Sequence, residues 1–119
     1  MRQCPSLPRT GSALADLEDE FATLAADVRE LVGLLQEAEE TFWSNTLARG
    51  LRQIDAHQLA GATYILGCYG GVDTFSDLVI GARWTRSDPL RFRNLNARLG
   101  HLRTRTFESA NAIAARRSW

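Results

Sequence analysis

A chain of 119 residues, 45% hydrophobic and 24% charged, is sized for one globular domain and is too apolar for wholesale disorder. Fourteen arginines balance fourteen acids, with no lysine, so the chain is not the polycation expected of a non-specific nucleic-acid binder. No apolar run approaches the ~18 residues of a membrane span, and the N-terminus lacks the apolar centre of a secretory signal. Neither Cys4 nor Cys68 belongs to a paired motif. These features point to a cytoplasmic protein.

Residues 1–11 hold two of the three prolines and a glycine and read as a flexible tail. Residues 12–119 read as a single helical domain. Ser12 is placed to cap a first helix, its hydroxyl accepting an orphan amide. From there Leu14, Leu17, Phe21, Leu24, Val28, Leu31, Leu35 and Ala38 recur at alternating steps of three and four. That is one apolar stripe on a helix over roughly 12–40. A stripe this regular packs either within a bundle or across a homodimer seam.

Thr41 stands ahead of a second helix near 42–55, with Trp43, Leu47, Leu51 and Ile54 on its apolar face and Gly50 inside it. Asp55 is placed to cap a third helix over 56–69, with Leu59, Ala62, Ile65, Leu66 and Tyr69 facing inward. Gly70-Gly71 ends it, because glycine enters the left-handed region without penalty. Phe75, Leu78 and Val79 then return to the core through a short helical turn or a short extended stretch over 78–80. Ser87 or Asp88 caps the last helix, with Pro89 in its first turn. Its stripe is Phe92, Leu95, Leu99, Leu102, Thr106, Ala110 and Ile113. The expectation is an all-α, single-domain bundle of about four main helices, with a short re-entrant turn after Gly70-Gly71.

Charge is sorted along the chain. Residues 10–40 carry nine acids and one arginine, and residues 83–119 carry nine arginines and two acids. One outcome is that the two halves pack together and neutralise each other; the other is that one half meets a charged partner. Glu37, Glu39 and Glu40 sit at a helix end that the dipole disfavours for acids, which suggests a use outside the fold.

The run Gly70-Gly71-Val72-Asp73-Thr74-Phe75-Ser76-Asp77-Leu78-Val79, with Trp43-Ser44-Asn45-Thr46-Leu47 upstream, resembles a family of small uncharacterised bacterial proteins. Their motif runs Gly-Gly-Met-Gly-Ser-aromatic-Asn-Asp-Leu. The resemblance covers about 31–80. Val72-Asp73-Thr74 stands where the family has Met-Gly-Ser, Ser76 stands for Asn, and Asp73 replaces a glycine. The resemblance implies a bacterial origin and a gene neighbourhood of toxins or mobile elements, the setting of immunity proteins.

Catalytic chemistry has no foothold in the pattern. His57 and His101 lack clustered ligands for zinc, no GxSxG elbow occurs, and no phosphate-binding loop is present. No cofactor and no metal are expected. The expected function is a non-catalytic protein-binding module, an immunity protein or antitoxin that neutralises a toxin or effector through an acidic surface. Asp16, Asp19, Glu20, Glu37, Glu39, Glu40, Asp73 and Asp77 are its candidate contacts. The alternatives are nucleic-acid binding through Arg91, Arg98, Arg103 and Arg105, flanked by Trp84 and Trp119, and a helical scaffold or adaptor.

Overall fold

The computed structural model describes residues 9–69 and 75–117, with side chains described over 16–69 and 75–115. Among them the chain forms α1 (Arg9–Glu37), α2 (Thr41–Asp55), α3 (Leu59–Gly67) and α4 (Pro89–Arg117). Two 3-10 turns, Phe75–Asp77 and Ala82–Trp84, lie between α3 and α4. No strand occurs among the described residues. The all-α class is as expected; beyond the main helices and the one short turn anticipated after α3, a further 3-10 turn is present at Ala82–Trp84.

The two long helices run antiparallel: α1 packs on α2 and on α4, and α3 packs on α2 and α4. The α1 stripe is consumed inside this chain. Phe21, Leu24, Val28, Leu31, Leu35 and Ala38 are all buried, so the face that suggested a homodimer seam is already covered by α2 and α4. The α4 stripe is buried from Leu95 through Leu99, Leu102, Thr106 and Ala110 to Ile113. Its cap is also as read: Asp88 Oδ1 accepts from the Arg91 amide at 3.1 Å.

Several boundaries move. Helix α1 starts at Arg9, so Ser12 lies inside it and does not cap it. Nothing after Pro8 breaks the helix, and Gly11 and Ser12 lower propensity without forbidding it. At its other end α1 stops at Glu37, through a left-handed turn. Glu39 has φ of 63°, the Glu40 amide donates to Leu35 O at 2.8 Å and the Glu39 amide to Gln36 O at 3.0 Å. Helix α2 ends by the same device. His57 has φ of 58°, and the Gln58 and His57 amides reach Gln53 O and Ile54 O at 2.9 Å each. Both turns satisfy orphan carbonyls in the glycine-type pattern, but with non-glycine residues. Each strained residue is held by its side chain: Glu39 by Arg83, and His57 by stacking on Phe21 with ring centroids 5.3 Å apart.

Helix α3 therefore begins at Leu59, with Gln58 in extended conformation just ahead of it, rather than at 56. Asp55 still belongs to α2, where Arg29 grips both carboxylate oxygens at 2.8 Å. The helix also ends earlier than read, at Gly67; Gly70 and Gly71, the expected stop, lie outside the described residues. Two inner glycines let α2 and α3 close together. A Cβ on Gly50 would sit 2.8 Å from Tyr64 Cδ1 and Ile65 Cδ1, and one on Gly61 would sit 2.8 Å from the Ile54 amide nitrogen.

The connector resolves the two readings left open. Phe75 is fully buried within a 3-10 turn. After Asp77 the chain is no longer helical, and burial alternates: Leu78 is half-buried, Val79 is 59% exposed and Ile80 is buried. Val79 was expected in the core, and Ile80 occupies that place. Asn96 fixes the register: its Oδ1 accepts from the Ile80 amide at 2.9 Å and its Nδ2 donates to Ile80 O at 2.8 Å. One side-chain amide thus satisfies both backbone groups, as a neighbouring strand would.

Candidate functional site

The acids of the expected interface do not form one face. Asp16, Asp19 and Glu20 lie near the start of α1, and Glu37 lies at its end, roughly 25 Å away at 1.5 Å per residue. Glu39 and Glu40 have work within the fold. Arg83 donates to Glu39 at 2.6 and 2.9 Å, and these hydrogen bonds hold its carboxyl below the ordinary glutamate range. Glu40 is the residue before α2, where the positive helix end favours an acid. Read against α1 alone these acids oppose a dipole; read against α2 they complement one. Glu37 shares a groove of about 400 Å³ with Arg91 and Arg98, so its surroundings are of mixed charge. Asp77 closes the first 3-10 turn on the surface, and Asp73 lies outside the described residues.

The arginines proposed for phosphate contact are largely committed inside the molecule. Arg103 is half-buried, and its Nη1 donates to Phe75 O at 3.0 Å and Leu78 O at 3.1 Å. Arg105 donates to Asp27 Oδ1 at 2.6 Å. Asp27 is 1% exposed, and burial pushes its carboxyl above the usual aspartate range against the pull of Arg105. Arg91 lies over the Trp84 ring at 3.9 Å, with Arg83 near the same ring at 4.4 Å. Only Arg98 of the four shows no such contact among the described residues. The halves of the chain do neutralise each other in part, through Asp27–Arg105 and Glu39–Arg83.

The structure does bring two of the expected acids to a third that was not singled out. Antiparallel packing sets the first part of α1 beside the last part of α4. There Asp19, Glu20 and Thr23 face Glu108, Ser109 and Ala112 across a groove of about 300 Å³. Among the described residues no basic side chain lines it. Glu108 is the lone acid of α4, and it stands beside acids from the opposite end of the sequence. Asp16 is exposed one turn earlier on α1.

Glu108 also borders a second groove, of about 490 Å³, with Tyr69, Ser76, Arg103, Thr104 and Phe107. Its floor is aromatic. Phe107 is 41% exposed and its ring lies 5.2 Å from Tyr69. The rings continue inward from Tyr69 to Phe75 at 5.4 Å and Trp43 at 5.3 Å. Tyr69 is fixed by its hydroxyl, which donates to Arg103 O at 2.7 Å, and burial pushes its phenol far above the usual tyrosine range. The Cys68 thiol beside it is also raised by burial. Among the described residues no three His, Cys, Asp or Glu side chains gather as a metal would require, and no helix is long and apolar enough to cross a membrane.

The fold and grooves define a small helical bundle with an open surface, acidic on one flank and aromatic on the other. Residues 36–87 match a domain of unknown function (DUF6966). The match takes in α2, α3 and both 3-10 turns, and of the two grooves it contains only Tyr69 and Ser76. No curated protein and no solved structure matches the chain.

Proposed function

We propose that this chain is a non-catalytic protein-binding module that neutralises a basic partner by covering it, as an immunity protein or antitoxin does. One observation carries the reading: Asp19 and Glu20 from α1 converge with Glu108 from α4 on a single groove. A groove lined by acids from two helices favours an electropositive partner, through steering and specificity. The competing nucleic-acid reading loses support, because Arg103 and Arg105 are spent on internal carbonyl and carboxylate oxygens.

The test is co-expression with each protein encoded beside it. A growth-inhibiting neighbour should be neutralised by the intact chain, and less well by the combined variant Asp19→Asn, Glu20→Gln, Glu108→Gln. Failure to bind or neutralise any neighbouring product, together with tight binding to duplex or single-stranded nucleic acid at physiological salt, would overturn the reading in favour of the arginine helix.

A further inference from the structure

The two grooves that meet at Glu108 specify the shape of what binds them. On the α1 side lie the carboxylates of Asp19, Glu20 and Glu108. On the α3 side lie Tyr69 and the exposed ring of Phe107, with the hydroxyl-bearing Thr104 on the rim. The cation on that second side, Arg103, is half-buried and hydrogen-bonded to two backbone carbonyls, so it does not turn outward to recruit an anion. It does repel a cation. A basic ligand is therefore drawn to the α1 flank and turned away from the Arg103 flank. An apolar side chain has its place over Phe107 and Tyr69, where 490 Å³ is open.

From this polarity we infer that the occupant is a basic amphipathic segment of the partner protein. One edge of that segment is rich in arginine or lysine, and the other presents a bulky apolar side chain. The basic edge lies along Asp19 and Glu108, and the apolar side chain enters the Tyr69–Phe107 groove. This rests on the protein-binding reading above and adds the chemistry and register of the contact. Anchor side chains in desolvated pockets dominate such interfaces, while surrounding charges set rate and salt dependence.

The full-length protein would be titrated calorimetrically, at low and high salt, with three synthetic 18-residue peptides. The first is amphipathic with leucine and phenylalanine on one edge and arginine on the other. The second keeps the apolar edge and replaces arginine by glutamate. The third is oligo-arginine. The first should bind at least about tenfold more tightly than either control. Thr104→Arg, on an exposed position that leaves the core untouched, and Phe107→Ala should each weaken it about tenfold or more. Asp19→Asn with Glu108→Gln should flatten its salt dependence. Equal binding of the glutamate peptide would overturn the charge assignment, and equal binding of oligo-arginine would overturn the apolar anchor. If a neighbouring protein is neutralised with undiminished affinity by both Thr104→Arg and Phe107→Ala, this inference is wrong and the module reading survives. If no polypeptide binds at all, the module reading fails with it.

Discussion

Replacing Gly61 by alanine probes the close approach of α3 to α2. A Cβ there would lie 2.8 Å from the Ile54 amide nitrogen, 2.9 Å from Ile54 Cγ1 and 3.0 Å from Gln53 Cβ, where ordinary contact begins at 3.4 Å. None of those three atoms is the free end of a flexible side chain, so α3 itself has to retreat by about 0.6 Å. Overpacking of this kind costs about 1–3 kcal/mol. The helix-propensity gain of alanine over glycine, about 1 kcal/mol, offsets part of it. The net expectation is a loss of about 0–2 kcal/mol. Gly33 supplies the control, because a Cβ there meets nothing within 4 Å; Gly33→Ala should gain about 1 kcal/mol. Gly50→Ala should fall between the two, since it meets only side-chain atoms of Tyr64 and Ile65. Urea unfolding followed by far-UV circular dichroism would rank the three. If Gly61→Ala is as stable as Gly33→Ala, the α2–α3 packing described here is wrong.

The other predictions concern the devices that hold the corners and the connector. Glu39→Ala should melt below both the wild type and Glu39→Gly, because alanine keeps the left-handed backbone and loses Arg83, whereas glycine relieves the strain. Because Arg83 lowers the Glu39 carboxyl pKa, the wild type's advantage over Glu39→Gln should be present above the ordinary glutamate pKa and vanish as pH falls through the lowered value. Asp27 should show the opposite slope. Its carboxyl pKa is raised, so its cost is absent below the ordinary aspartate pKa and grows as pH rises through the raised value. Asp27→Asn should flatten that dependence in melts recorded from about pH 3 to 7. Asn96→Ala strips both partners from Ile80 and should cost about 1–3 kcal/mol, with faster hydrogen exchange at the Ile80 amide.

Periodicity made the long elements legible. The stripes of α1 and α4 repeat every three or four residues without fault, and Asp88-Pro89 marks a helix start that side-chain geometry bears out. The corners were not legible. Left-handed turns ordinarily announce themselves with glycine, and here Glu39 and His57 fill those positions, so the end of α1 and the start of α3 were misplaced. Leu78-Val79-Ile80 satisfies both a period near 3.6 and a period of 2 over three residues, and only the reach of Asn96 from α4 decides between them. The candidate site was half visible. Asp19 and Glu20 stood out as part of an acidic run. Glu108 did not, because its meaning comes from antiparallel packing that brings it across from α1. The nearest sequence signal was its isolation, as the lone acid among the arginines of the last helix.

The central claim is that a protein partner is met on the surface where α1, α4 and Tyr69 converge. Hydrogen exchange on the full chain, measured with and without the neutralised neighbour, tests it most directly. The account predicts new protection confined to the exposed edges of residues 16–23, Tyr69 and 104–112. Protection centred instead on Glu37, Leu90, Arg91 and Arg98 would contradict it, placing the interface in the mixed-charge groove at the opposite end of the bundle.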